Sequence, residues 1–130
     1  MAIEIERKFL VVGGGWRKRV DKTLAIRQGY LQTRAGTTVR IRIAADSLVD
    51  RPHATLTVKG PTTGIARAEF EHEIPLEDAQ GMLDLLCGTR IVEKWRHLVP
   101  SSMDGCPWEI DEFVGRHAGL VLAEVELDKS

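Results

Sequence analysis

Apolar and polar residues alternate in short runs along most of this chain, and a period of two predicts β-strands. The first run is Ala2 to Val12, and Gly13-Gly14-Gly15 then breaks it into what reads as a mobile loop. Leu24 to Thr33 and Thr37 to Ala44 follow, separated by a turn at Ala35-Gly36. Ala54 to Lys59 ends at Gly60-Pro61, and Ala66 to Ile74 makes the fifth strand. Arg90 to Val99, Trp108 to Phe113 and Leu120 to Leu127 complete the set. One segment keeps a different rhythm. Pro75 to Cys87 places Leu76, Ala79, Met82, Leu83 and Leu86 at helical spacing. Pro75 suits the helix start, Glu77 and Asp78 its positive end, and Gly88 its stop, while Gly81 weakens the middle. The expected order is therefore five strands, one helix and three strands. Short connections favour antiparallel neighbours, and eight strands suffice to close a barrel. A sandwich fits the alternation equally well.

The charges inside these strands keep to one face. Glu4, Glu6 and Lys8 share a side of the first strand, and Ile3, Ile5 and Phe9 lie on the other. Arg40 and Arg42 share a face, as do Thr55, Thr57 and Lys59, and then Glu69, Glu71 and Glu73. Lys94 and Arg96 flank Trp95, Glu109 and Asp111 flank Ile110, and Glu124 and Glu126 flank Val125. One such pair is an ordinary wet face of a strand. Seven strands with basic and acidic pairs on different strands point to a partner carrying both kinds of charge. A metal-bound polyphosphate is such a partner. Its oxygens suit Lys8, Arg40, Arg42, Lys59, Lys94 and Arg96. A hard cation suits Glu4, Glu6, Asp111, Glu124 and Glu126, with Glu69 or Glu71. Periodicity does not say which face is inside.

Composition narrows the classes. The chain has 130 residues, one domain's worth, and 43% are hydrophobic, enough for a core built on Ile, Val and Leu. A net charge of -1 argues against a general nucleic-acid binder. Cys87 and Cys106 belong to no CxxC and read as reduced, mostly buried thiols. With no signal-peptide pattern and no apolar run of membrane-span length, a cytoplasmic protein without a membrane partner is expected. The four histidines, His53, His72, His97 and His117, fall in loops or on the face opposite the charges. Trp95 and Trp108 read as outer-face packing.

The blocks themselves resemble a known family. Ile3-Glu4-Ile5-Glu6-Arg7-Lys8-Phe9-Leu10-Val11 is similar to the ExExK signature of the CYTH superfamily, the triphosphate tunnel metalloenzymes. The likeness continues in order through Gln28-Gly29-Tyr30-Leu31, Val39-Arg40-Ile41-Arg42, Leu56-Thr57-Val58-Lys59, Arg67-Ala68-Glu69-Phe70-Glu71, Glu93-Lys94-Trp95-Arg96, Trp108-Glu109-Ile110-Asp111-Glu112-Phe113 and Leu122-Ala123-Glu124-Val125-Glu126. The resemblance implies a mainly β fold, an eight-stranded antiparallel closed β-barrel tunnel with one helix between strands five and six. It turns the charged face inward. A single CYTH domain over 1–130 is expected, ending at Asp128-Lys129-Ser130 without the C-terminal helical segment usual in short bacterial relatives.

The family's activities include inorganic tripolyphosphatase, thiamine triphosphatase, RNA triphosphatase and class IV adenylate cyclase. The short bacterial form points to hydrolysis of a linear triphosphate, with inorganic tripolyphosphate first, using Mg²⁺ or Mn²⁺. On that reading Lys8, Glu6, Tyr30 and Glu126 are the catalytic candidates. The substrate-binding set is Lys8, Arg40, Arg42, Lys59, Lys94 and Arg96. The metal set is Glu4, Glu6, Glu69, Glu71, Asp111, Glu124 and Glu126. An adenylate cyclase and a non-catalytic polyphosphate-binding or nucleotide-binding barrel stay open as alternatives, and so does a homodimer.

Overall fold

The computed structural model describes residues 2–46, 51–100 and 107–126, with side chains for 6–46, 51–100 and 107–125. Among these residues eight strands form: β1 (Ala2–Leu10), β2 (Lys22–Leu31), β3 (Thr38–Asp46), β4 (His53–Lys59), β5 (Ala66–Glu73), β6 (Ile91–Val99), β7 (Trp108–Phe113) and β8 (Val121–Glu126). Helix α1 (Leu76–Leu85) lies between β5 and β6, where the sequence rhythm changes. Every pairing is antiparallel, and the order is β1-β5-β4-β3-β2-β6-β7-β8, returning to β1. Closure is thinner than a full barrel seam. β1 pairs with β5 through Ala2 to Ile5 and with β8 through Glu6 to Leu10. Among the described residues, each half of β1 therefore holds only one neighbour, and the sheet curls shut in a staggered seam.

The apolar faces point outward and are covered in two places. Over β3 and β4, α1 buries Ala79 and Leu83 against Ile41 and Ala54, with Cys87 completing the cluster. Cys87 is a free, buried thiol, and burial pushes its pKa up. Cys106 lies outside the described residues. Pro75 caps the helix start, and Gly88, at φ +59°, turns the chain away from its end. The helix comes so close to β2 because residue 29 has no side chain. A Cβ at Gly29 would stand 2.7 Å from both Cys87 Sγ and Leu83 Cδ2. Gly29→Ala is therefore expected to cost about 1–3 kcal/mol of stability through overpacking. The check is urea denaturation, where the midpoint should fall at an unchanged slope.

The second cover lies over β6, β7 and β8. The segment expected as a mobile loop after Gly13 forms a 3₁₀ turn at Gly15–Arg19. Its Trp16 packs on the cluster of Val99, Ile110 and Ala123, and Arg17 pairs with Glu112 at 2.9 Å. The turn is held because an indole needs an apolar surface and finds one on the strands that lie between β2 and β1 around the barrel. Trp108 belongs to the same cluster and meets Phe9 edge-on at 5.6 Å. Trp95 stands 46% exposed on the outer face.

Candidate active site

With the apolar faces outward, the alternate positions converge inside. One cavity of about 310 Å³ is lined by Glu6, Lys8, Gln28, Tyr30, Arg40, Arg42, Lys59, Glu69, Glu71, Lys94, Arg96, Glu109 and Glu124. Eleven of these thirteen residues are candidate site residues named from the sequence. No histidine is among them. Gln28 and Glu109 are the additions. Their signal was present in the alternation, since Gln28 shares a face with Tyr30, and Glu109 with Asp111. Side-chain placement of Glu4 and Glu126 lies outside the described residues, although the backbone registers Glu126 opposite Glu6.

The strand order sorts the charges. Among the described residues, all five cavity carboxylates come from β7, β8, β1 and β5, which are consecutive around the barrel. Five of the six cavity bases come from the other arc, β4-β3-β2-β6, and Lys8 is the exception. An acidic wall thus faces a basic wall. Contacts bridge the junctions: Lys59 lies 3.8 Å from Glu69, Arg40 lies 3.8 Å from Glu71, and Arg96 lies 3.4 Å from Glu109. Thr57, fully buried, donates to Glu71 at 2.7 Å.

Asp111, expected as a metal ligand, is here the partner of two cations. It is fully buried behind the wall and does not line the cavity. Its Oδ2 accepts from Lys94 Nζ at 2.6 Å and from Arg96 at 2.9 Å, and its Oδ1 accepts from Arg96 Nε at 2.8 Å. A carboxylate so occupied positions two cations. Burial alone would push its carboxyl up, but Arg96 and Lys94 more than reverse this and hold it below the usual range. Sequence spacing could not tell a carboxylate beside the cavity from one behind it.

Crowding of charge marks the cations. Burial first, then the neighbouring Arg40 and Arg96, lower the Arg42 guanidinium to about 10. Burial lowers Lys94 to about 8 against the pull of Asp111. Arg96 is raised: burial opposes its charge, but Asp111 and then Glu109 outweigh it. Arg40 Nε is buried and meets no acceptor. Buried donors in excess of their acceptors suit an anion with many oxygens.

On the opposite wall, burial and then the charge of Glu124 raise the Glu109 carboxyl despite Arg96. Glu109 and Glu124 are direct cross-strand partners. Like charges placed opposite each other are costly unless a cation sits between them. Among the described residues no three His, Cys, Asp or Glu converge on one point. The donors are nevertheless all carboxylate oxygens, and Mg²⁺ characteristically uses one or two of these and takes the rest of its shell from phosphate and water. The residues therefore fit a hard divalent cation that arrives with a phosphate ligand.

Comparison with known proteins agrees with this geometry. A family model described as CYTH domain matches residues 2–130. An inorganic triphosphatase of Acetivibrio thermocellus is 42% identical over 127 residues, covering 98% of this chain and 76% of that protein. The solved structure of the inorganic triphosphatase NE1496 superposes with a TM-score of 0.58 at 28% identity, covering 100% of this chain and 77% of that one. PH1012 protein from Pyrococcus horikoshii gives a TM-score of 0.71 at 17% identity over 98% of this chain and 79% of its own, a likeness of fold.

Proposed function

This chain belongs to the CYTH domain family, and from that membership we propose that it hydrolyses inorganic tripolyphosphate with Mg²⁺ or Mn²⁺ in the cavity described above. The observation that carries the proposal is the lining. Among the described residues it is made wholly of charged and polar side chains, split into a basic and an acidic wall, and Tyr30 is its one aromatic residue. A linear triphosphate is charged along its whole length and suits such a lining. A nucleoside or thiamine moiety calls for an apolar or stacking surface, and among the described lining residues only Tyr30 offers a ring.

The family's triphosphate tunnel metalloenzymes depend on a divalent metal. Glu6, Glu69, Glu71, Glu109 and Glu124 would hold it here, together with Glu4 and Glu126. Once bound, it supplies charge neutralisation and polarisation of the phosphate oxygens. Arg40, Arg42, Lys59, Lys94 and Arg96 grip those oxygens from the basic wall and absorb the charge that develops as the bridging P–O bond lengthens. Asp111 fixes Lys94 and Arg96 in place. Lys8, 3.6 Å from Glu6, is among the described residues the one cavity base on the acidic arc and would meet a terminal phosphate. Water attacks the terminal phosphorus in line, the bridging bond breaks, and phosphate and pyrophosphate leave. Tyr30 is a hydroxyl within reach of the substrate.

A substrate panel tests this. With Mg²⁺ or Mn²⁺, the chain is expected to release phosphate from tripolyphosphate far faster than from ATP or thiamine triphosphate, and to form no cyclic AMP. Cyclic AMP with pyrophosphate from ATP would establish the cyclase instead. Binding of tripolyphosphate without product would make the barrel a binding module.

A pH dependence follows from Lys94. Its folded value is lowered to about 8, so its ammonium is lost as pH rises through that value. kcat/KM, which reports the unliganded enzyme, is expected to fall above about pH 8. Bound triphosphate favours the charged form, so the fall in kcat should lie at higher pH. Lys94→Arg keeps its charge and should flatten the fall in kcat/KM. A wild-type profile flat to about pH 10, where an ordinary lysine titrates, contradicts the role.

A further inference from the structure

The direction of one hydrogen-bond chain along the basic wall is forced. Arg42 Nε donates to Gln28 Oε1 at 2.8 Å. A guanidinium has no acceptor, so the amide oxygen must face Arg42 and the amide nitrogen must face away. That nitrogen donates to the Tyr30 hydroxyl oxygen at 2.8 Å. Gln28 is 4% exposed and registers directly opposite Arg42, so its amide stays beside the guanidinium that sets its orientation. A phenol oxygen that accepts from this side must send its own hydrogen elsewhere, and the cavity that Gln28 and Tyr30 both line is the open direction.

We propose that Gln28 is a positioning residue, its amide set by Arg42, that aims the Tyr30 O–H into the cavity as a donor to a non-bridging phosphate oxygen. The catalytic half of this rests on the triphosphatase reading, and the geometric half does not. A donor aimed in advance needs no reorganisation when charge builds on that oxygen. Without the Gln28 N–H, the hydroxyl rotates and spends part of its time pointing at the wall.

Two measurements separate the halves. The chain contains one tyrosine, so the tyrosine Fermi doublet in its Raman spectrum reports Tyr30 alone. In the wild type the doublet should show a hydroxyl that accepts as well as donates. In Gln28→Met it should shift toward a donor only, and an unshifted doublet overturns the geometry. The second measurement is a kinetic cycle on tripolyphosphate. Tyr30→Phe is expected to lower kcat by about a hundredfold, as loss of one aimed donor does. Gln28→Met should lower kcat by about tenfold, and the double variant should be no slower than Tyr30→Phe alone, because coupled residues are not additive.

Multiplying losses, or a Gln28→Met effect confined to KM, would show Gln28 acting through Arg42 and overturn the proposal. Gln28→Glu keeps an acceptor for Arg42 and guards against loss of fold. Its carboxylate should draw the Tyr30 proton away from the cavity and leave the doublet that of a donor. A wild type that turns over no triphosphate overturns the functional reading and the catalytic half together, and the doublet still decides the geometry.

Discussion

Glu124→Gln is expected to lower phosphate release from tripolyphosphate by about a thousandfold, the several kcal/mol that metal-assisted charge neutralisation contributes. Glu124 stands on the acidic wall, opposite Glu109 on one side and Lys8 on the other. Glutamine keeps the shape and removes the charge that a hard cation needs. Glu6→Gln should behave alike, since Glu6 lines the same wall. The check is kcat measured across a titration of Mg²⁺. Partial recovery at high cation concentration is consistent with weakened metal affinity. Near-wild-type kcat in either variant at ordinary Mg²⁺ would remove these carboxylates from the metal set.

Asp111→Ala should be the most destabilising single change in the barrel. It leaves Lys94 and Arg96, both under 10% exposed, without the carboxylate that compensates them. Removing one partner of a buried ion pair costs about 3–5 kcal/mol. For a domain of this size that corresponds to a fall in Tm of roughly 10–20 °C. The loss should depend on pH with a definite sign. The folded-state pKa of Asp111 is lowered, so its contribution is fully present above the unfolded value of about 4 and fades as pH falls through the folded value. Wild type and variant should therefore converge in acid. Asp111→Asn, which keeps an acceptor oxygen, should lose less. Equal Tm values at neutral pH would mean that water enters and compensates the two cations.

The sequence made the faces of the strands legible, because strand periodicity depends on local alternation. Arg40 and Arg42 had to share a side, as had Lys94 and Arg96, whatever the fold. It could not reveal which strands become neighbours. β1 lies beside β5, and β2 beside β6, through connections that skip along the chain, and only that order separates an acidic wall from a basic one. Depth was equally hidden. Asp111 and Glu109 are two residues apart on one face of β7, yet one is sealed behind Lys94 and Arg96 while the other borders the cavity. Gln28 shares a visible face with Tyr30, but its importance comes from having Arg42 opposite, a neighbour that alternation along one strand does not show. Gly29 was visible as a residue but not as the place where the helix touches the sheet, a contact made across more than fifty residues of chain.

The most direct test follows tripolyphosphate by ³¹P NMR with the purified chain and Mg²⁺. The terminal and central phosphorus signals should decay together while phosphate and pyrophosphate appear in equal amounts, and chelation of the metal should stop the conversion. Tripolyphosphate that persists unchanged with the cation present, or conversion that continues after chelation, would contradict a metal-assisted triphosphatase built on these two walls.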